Sequence, residues 1–223
     1  MAAPGSFLAK LDDADRAALE RRWTVRQYDR NEMIIAPEDA GRDVFFVLEG
    51  RARATAYSER GRAVTYRDIE PGDIFGELAA VDGIARSASI MALDKVRAAC
   101  LSDAAFREIV ESRPTFAWAL LTHLSAQVRR MTERVYEFST LVVRKRLIRE
   151  LLRLADDGGE GKGKASIRPA PIHSDLAARI GTHREAVSRE MSALAKAKLI
   201  EKRGGSLALN DLGMLKLLGS GEE

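Results

Sequence analysis

Cysteine and histidine are scarce in this chain, with one Cys and three His among 223 residues. The single thiol, Cys100, excludes an intramolecular disulfide and a four-cysteine metal site, and it leaves too few thiolates for an iron–sulfur cluster. It lies in an apolar stretch and reads as a small core residue. The histidines, His123, His173 and His183, fall outside the strand-rich region and read as surface or capping residues, so neither haem nor a metal is expected. No apolar run approaches the roughly eighteen residues of a membrane span. The N-terminus has no basic segment followed by an apolar stretch, so a cytoplasmic location is expected. No nucleophile–base set and no Gly-Lys phosphate loop is present, and an enzyme is not expected.

What the chain does have is unevenly distributed. Its length suits two modest domains, each able to bury a core. Residues 1–143 carry 20 Lys+Arg against 22 Asp+Glu, and residues 144–223 carry 16 against 11. The C-terminal third is therefore mildly basic, which suits a nucleic-acid partner without requiring one.

Phe7 to Arg22 reads as a short amphipathic helix, with Phe7, Leu8, Leu11 and Leu19 on one side. From Tyr28 to Leu101 short strands alternate with turns, most clearly Met33–Ile35, Val44–Leu48, Ala52–Tyr57 and Val64–Ile69, as in a small double-sheet roll. A helix is expected over Asp103–Val110, and Pro114 opens a long one. There Leu121, Leu124, Val128, Met131, Val135, Phe138 and Val142 recur at alternating intervals of 3 and 4. That seam suits a two-stranded homodimer, although one chain alone could pack it against its own roll. A further helix is expected over Arg144–Ala155, then a Gly-rich charged surface loop over Asp156–Lys164.

Two segments carry chemistry. In Phe75–Ser89, Gly76 permits close backbone approach, and Glu77–Val81 can form a helical turn with free amides. Arg86 can grip a phosphate, and Glu77 suits a ribose hydroxyl. The pattern describes a pocket for an anionic, sugar-bearing ligand; a hairpin tip with a surface Arg is the alternative.

The second segment, His173–Lys196, reads as a helix-turn-helix. Ser174 is expected to cap a first helix carrying Leu176, Ala177 and Ile180, with Gly181 ending it. Thr182 then opens a second helix in a capping box with Glu185, burying Val187, Met191 and Leu194. That leaves His183, Arg184, Ser188 and Arg189 on or near the other face. The N-terminal part of such a helix reads bases, so Arg184, Glu185, Ser188 and Arg189 are the candidates, Arg suiting guanine and Glu a cytosine amino group. Gly204-Gly205 turns a hairpin with Lys202 and Arg203 near its tip.

The first segment resembles the phosphate-binding cassette of the cyclic-AMP receptor protein and fumarate–nitrate regulator (CRP/FNR) family. Thr182–Arg189 is similar to the recognition helix of that family's cyclic-AMP branch. The resemblance covers roughly residues 20 to 210. It implies an α+β chain with a cyclic-nucleotide-binding β-roll (double-sheet jelly roll) over 1–115, a dimerisation helix and hinge over 116–143, and a winged helix-turn-helix over 144–223. It implies that Gly76, Glu77, Arg86 and Ser87, with the backbone of Leu78 and Ala79, hold the phosphate and ribose of cyclic AMP or cyclic GMP. It implies base reading by Arg184, Glu185 and Arg189 on palindromic double-stranded DNA with TGTGA-type half-sites. Thr182, His183, Ser174, Ser188, Lys202 and Arg203 complete the DNA surface, and RNA polymerase is an expected partner. The family's base contact is a Thr followed by Ser or Asn on the long helix. Here those places hold Met131 and Thr132, so one hydroxyl is missing and base selectivity is left open.

Overall fold

The computed structural model describes residues 5–37, 39–59, 61, 63–155 and 163–220. They form two compact units, 1–129 and 130–223.

In the first unit a 3-10 turn, Leu8–Lys10, precedes α1, Asp13–Glu20. The single helix expected from Phe7 is thus broken. Asp12 takes the N-cap position, its carboxylate accepting the Asp15 amide at 2.7 Å, as a short acidic side chain favours. Then come β1 (Thr24–Tyr28), β2 (Met33–Ile35), β3 (Val44–Glu49), β4 (Ala52–Tyr57), β5 (Ala63–Ile69), β6 (Ile74–Phe75), α2 (Glu77–Asp82), β7 (Ser89–Ala92), β8 (Val96–Leu101) and α3 (Asp103–Ser112). The helix α4, Pro114–Thr140, follows.

The strands form two antiparallel sheets, β1-β8-β3-β6 and β2-β7-β4-β5. Phe45, Val47, Ile69, Phe75, Ile90 and Cys100 share one apolar core. Val44, Phe46 and Leu101 belong to a second core, with Phe7, Phe106, Ile109, Phe116 and Leu120. Alternate residues of β3 therefore enter different cores, which explains its unbroken apolar run.

The second unit holds the end of α4, then α5 (Val143–Leu154), β9 (Ala165–Ile167), α6 (His173–Ile180), α7 (Arg184–Lys196), β10 (Ile200–Arg203), β11 (Ser206–Leu209) and α8 (Leu212–Gly219). Leu147, Ile148, Leu151, Leu176, Ile180, Val187, Leu194, Leu209 and Leu215 make its core. The sheet is β10-β11-β9. Most of the loop expected over Asp156–Lys164 lies outside the described residues.

The apolar seam of α4 is largely uncovered within the chain: Leu121, Val128 and Val135 are each more than half exposed. Two members depart from it. Leu124 packs against the first unit's second core, and Val142 lies beyond the helix, at the N-cap position of α5.

Candidate functional site

The cassette is built on β6. Phe75 stacks on Phe45, with ring centroids 5.1 Å apart and planes 6° from parallel, which fixes where the chain leaves the sheet. Gly76 follows at φ +82°, and a Cβ there would lie 2.8 Å from both Arg86 Nη1 and the Asp43 carbonyl oxygen. Only glycine fits without displacing one of them. Arg86, between α2 and β7, donates from Nη1 to the Gly76 carbonyl and from Nη2 to the Asp43 carbonyl, each at 2.9 Å. Its buried Nε has no partner among the described residues.

Burial lowers the Arg86 pKa, while the charges of Asp39, Asp43 and Glu77 pull it back up. An arginine remains a cation under either influence. Glu77 opens α2 and is 4% exposed, accepting from Gln127 Nε2 on α4 at 2.9 Å. Ser87 and Leu78 are exposed beside this group, and Ala79 is buried. The result is a guanidinium held by two carbonyls, with N–H groups left over, next to a tethered carboxylate. Such a pair can receive a phosphate and a ribose hydroxyl together.

Several residues here escape a reading of the sequence. Asp43 anchors Arg86 through its carbonyl, and its carboxylate accepts from Cys100 Sγ at 3.4 Å. Burial foremost, with the hydrogen bond to Asp43 and its charge, pushes the Cys100 thiol up to about 11. His123, expected at the surface, is instead 5% exposed and packs edge-to-face on Phe7 at 5.5 Å. Its Nε2 lies 2.7 Å from Gln127 Nε2. Helical spacing places His123 and Gln127 on one face of α4, but nothing in the sequence marks that face as inward at both positions. Met131 and Thr132 are exposed on α4, in the stretch belonging to the second unit. No group of three metal-ligating side chains occurs among the described residues.

In the second unit α6 and α7 are joined by Gly181, Thr182 and His183. Gly181 sits at φ +63°, and its amide and that of Thr182 both reach the Ala177 carbonyl. This C-terminal motif uses Thr182 to close α6. Thr182 therefore does not open α7: His183 holds the N-cap position, its carbonyl accepting from Ala186 and Val187. Ser174 is likewise not a cap, because Ile172 holds that position and its carbonyl receives the Leu176 amide.

Arg184, Glu185 and Arg189 are exposed along α7. Ser188 is half-buried, its hydroxyl 2.7 Å from His173 Nδ1, joining α7 to α6. Lys202 and Arg203 are exposed on β10, and Arg203 pairs with Glu201 at 2.7 Å.

A buried ionic cluster, which no sequence pattern announces, holds this unit together. Glu150 on α5, 2% exposed, faces Arg134 of α4 at 3.4 Å, Arg153 at 3.3 Å and Arg179 of α6 at 3.3 Å. Glu137, also 2% exposed, receives Arg149 at 3.2 Å and Arg153. Arg146 donates to the Ile180 carbonyl and lies over the Phe138 ring. Carboxylates and guanidinium groups thus tie the last turns of α4 to α5 and α6.

A nucleotide-type cassette on a β-roll, together with a winged helix-turn-helix, defines a class of ligand-responsive DNA-binding regulators. Residues 25–113 match the cyclic nucleotide-binding domain family, and residues 145–218 match the Crp-like helix-turn-helix domain family. The chain is 31% identical to transcriptional regulator SdrP of Thermus thermophilus, over 88% of this chain and 94% of that one. It is 25% identical to a CRP-like cAMP-activated global transcriptional regulator of Mycobacterium tuberculosis, over 87% and 88%. A solved CRP/FNR-family regulator from Thermus thermophilus superposes with a TM-score of 0.71 at 28% identity, covering 88% of this chain and 98% of that one. The chain belongs to the CRP/FNR family of transcriptional regulators. It joins a cyclic-nucleotide-binding domain to a DNA-binding helix-turn-helix.

Proposed function

We propose that this regulator is a homodimer gated by a cyclic nucleotide, cyclic AMP before cyclic GMP, that binds a palindromic TGTGA-type site when the ligand is bound. The observation that carries this is the Arg86–Glu77 pair: a half-buried guanidinium whose buried Nε has no partner among the described residues, fixed on two backbone carbonyls beside a tethered carboxylate. The phosphate goes to Arg86 and Ser87, with the backbone of Leu78 and Ala79 alongside, and the ribose to Glu77.

The preference for cyclic AMP rests on the kinship with the mycobacterial cAMP-activated regulator. Cyclic GMP remains the second reading because Met131 stands where the family has the first of two hydroxyls. Thr132→Ala is expected to weaken nucleotide binding less than Arg86→Ala does and to change the ratio of cyclic AMP to cyclic GMP affinity.

The exposed seam of Leu121, Val128 and Val135 supports the homodimer. Lone apolar side chains are ordinary on a surface, whereas a heptad-spaced line of them calls for a partner helix. Exposed Arg184, Glu185 and Arg189 support base reading in the major groove, and RNA polymerase is the partner such a regulator would engage. Gating requires the nucleotide to favour the DNA-competent arrangement. A hundredfold preference corresponds to about 2.7 kcal/mol.

Calorimetric titration of wild type and Arg86→Ala with cyclic AMP tests the cassette. Loss of nucleotide binding in a variant that still melts cooperatively is the expected result; equal affinity in the two proteins would remove Arg86 from the site.

A further inference from the structure

The contact that tethers Glu77 has a proton dependence built into its geometry. Gln127 Nε2 lies 2.9 Å from Glu77 Oε1 and 2.7 Å from His123 Nε2. One amide nitrogen therefore spends one N–H on the carboxylate and its other on the imidazole. Glu77 is an acceptor, so the first bond is fixed in direction. The second then requires His123 Nε2 to accept, which only the neutral ring can do.

A protonated His123 would present an N–H to the N–H of Gln127. Turning the amide over would satisfy the imidazolium, but it would set the Gln127 carbonyl oxygen against the Glu77 carboxylate. The first case costs the Gln127–His123 bond and with it the orientation of Gln127; the second costs the Gln127–Glu77 bond itself. The two ends of this relay are enclosed: His123 and Glu77 are 5% and 4% exposed, so water does not readily replace the missing partner. The groups facing it include Phe7 from the N-terminal segment, edge-on to the imidazole, and the Glu77 carboxylate of α2, with the Arg86 charge acting on Glu77 from beyond.

Resting on the nucleotide reading above, we propose that His123 and Gln127 are positioning residues for the ribose: neutral His123 orients the Gln127 amide to hold Glu77 in its binding position, and protonation of His123 releases it. Nucleotide affinity is then proton-linked. The bound form needs neutral His123, so affinity falls as the pH drops through the histidine range, near 6.5 for an unperturbed ring.

The test is calorimetric titration of the full-length protein with cyclic AMP and with cyclic GMP at about pH 7.5 and about pH 5.5, without DNA, for wild type, His123→Gln and Gln127→Met. Glutamine at 123 keeps an acceptor for Gln127 and removes the titration. Wild type is expected to bind at least about threefold more weakly at the lower pH. His123→Gln is expected to stay near wild-type affinity at the higher pH and to lose the pH dependence. Gln127→Met, at a half-buried position, tests the same relay without disturbing the buried ring, and is expected to bind more weakly with a flat profile. Parallel profiles in wild type and both variants would overturn the positioning role while leaving the cassette reading intact. No binding of either nucleotide by wild type at either pH would overturn both.

Discussion

Arg86 Nη1 donates to the carbonyl of Gly76 at 2.9 Å, and it stands 2.8 Å from where a Gly76 Cβ would be. The glycine and the arginine define each other's place. The missing side chain makes room for the guanidinium, and the guanidinium holds the carbonyl of a residue in left-handed conformation.

Gly76→Ala therefore carries two costs. A left-handed conformation costs an L-residue about 1–2 kcal/mol, and the new methyl must displace Arg86 or the Asp43 carbonyl. Expected are a lowered unfolding midpoint and a loss of cyclic-nucleotide affinity of tenfold or more, on the order of 1.4 kcal/mol. Unchanged affinity would mean that Arg86 does not need its observed position to bind.

Glu150 accepts from arginines on three helices, so its removal leaves the buried Arg179 and the half-buried Arg134 guanidinium groups without their shared carboxylate. Glu150→Ala is expected to cost about 3–5 kcal/mol in urea unfolding of the full chain, as breaking a buried ion pair does. A loss below about 1 kcal/mol would show that water reaches the cluster and screens it.

Glu185 is exposed in the first turn of α7, where a carboxylate can accept from a cytosine amino group. Glu185→Ala is expected to weaken binding to a TGTGA palindrome by about 1–3 kcal/mol and to relax base choice at one position of each half-site. Equal losses on matched and mismatched sites, measured at one salt concentration, would make Glu185 a bystander.

Much of this is legible in the sequence because it rests on local patterns. Gly76, Glu77 and Arg86 lie within a dozen residues, and the strands from Met33 to Ile69 show their turns openly. The seam of α4 is visible as a period. Contacts between distant residues are not legible. Gln127 meets Glu77 fifty positions away, and Glu150 gathers partners from α4 and α6; neither leaves a pattern in any short window. His123 reads as exposed because a lone polar residue on a long charged helix ordinarily is, and only packing against Phe7 overrules that. The helix starts at His173 and Arg184 each differ from the expected ones by a residue or two, since a serine or threonine near a start invites the capping role whether or not it fills it.

The most direct measurement is the affinity of the purified protein for a TGTGA palindrome with no nucleotide, with cyclic AMP and with cyclic GMP, alongside calorimetric titration of each nucleotide. Micromolar binding of one nucleotide, with DNA affinity raised tenfold or more by that nucleotide, is the expected result. DNA affinity that no cyclic nucleotide alters would contradict a ligand-gated regulator and leave the helix-turn-helix acting alone.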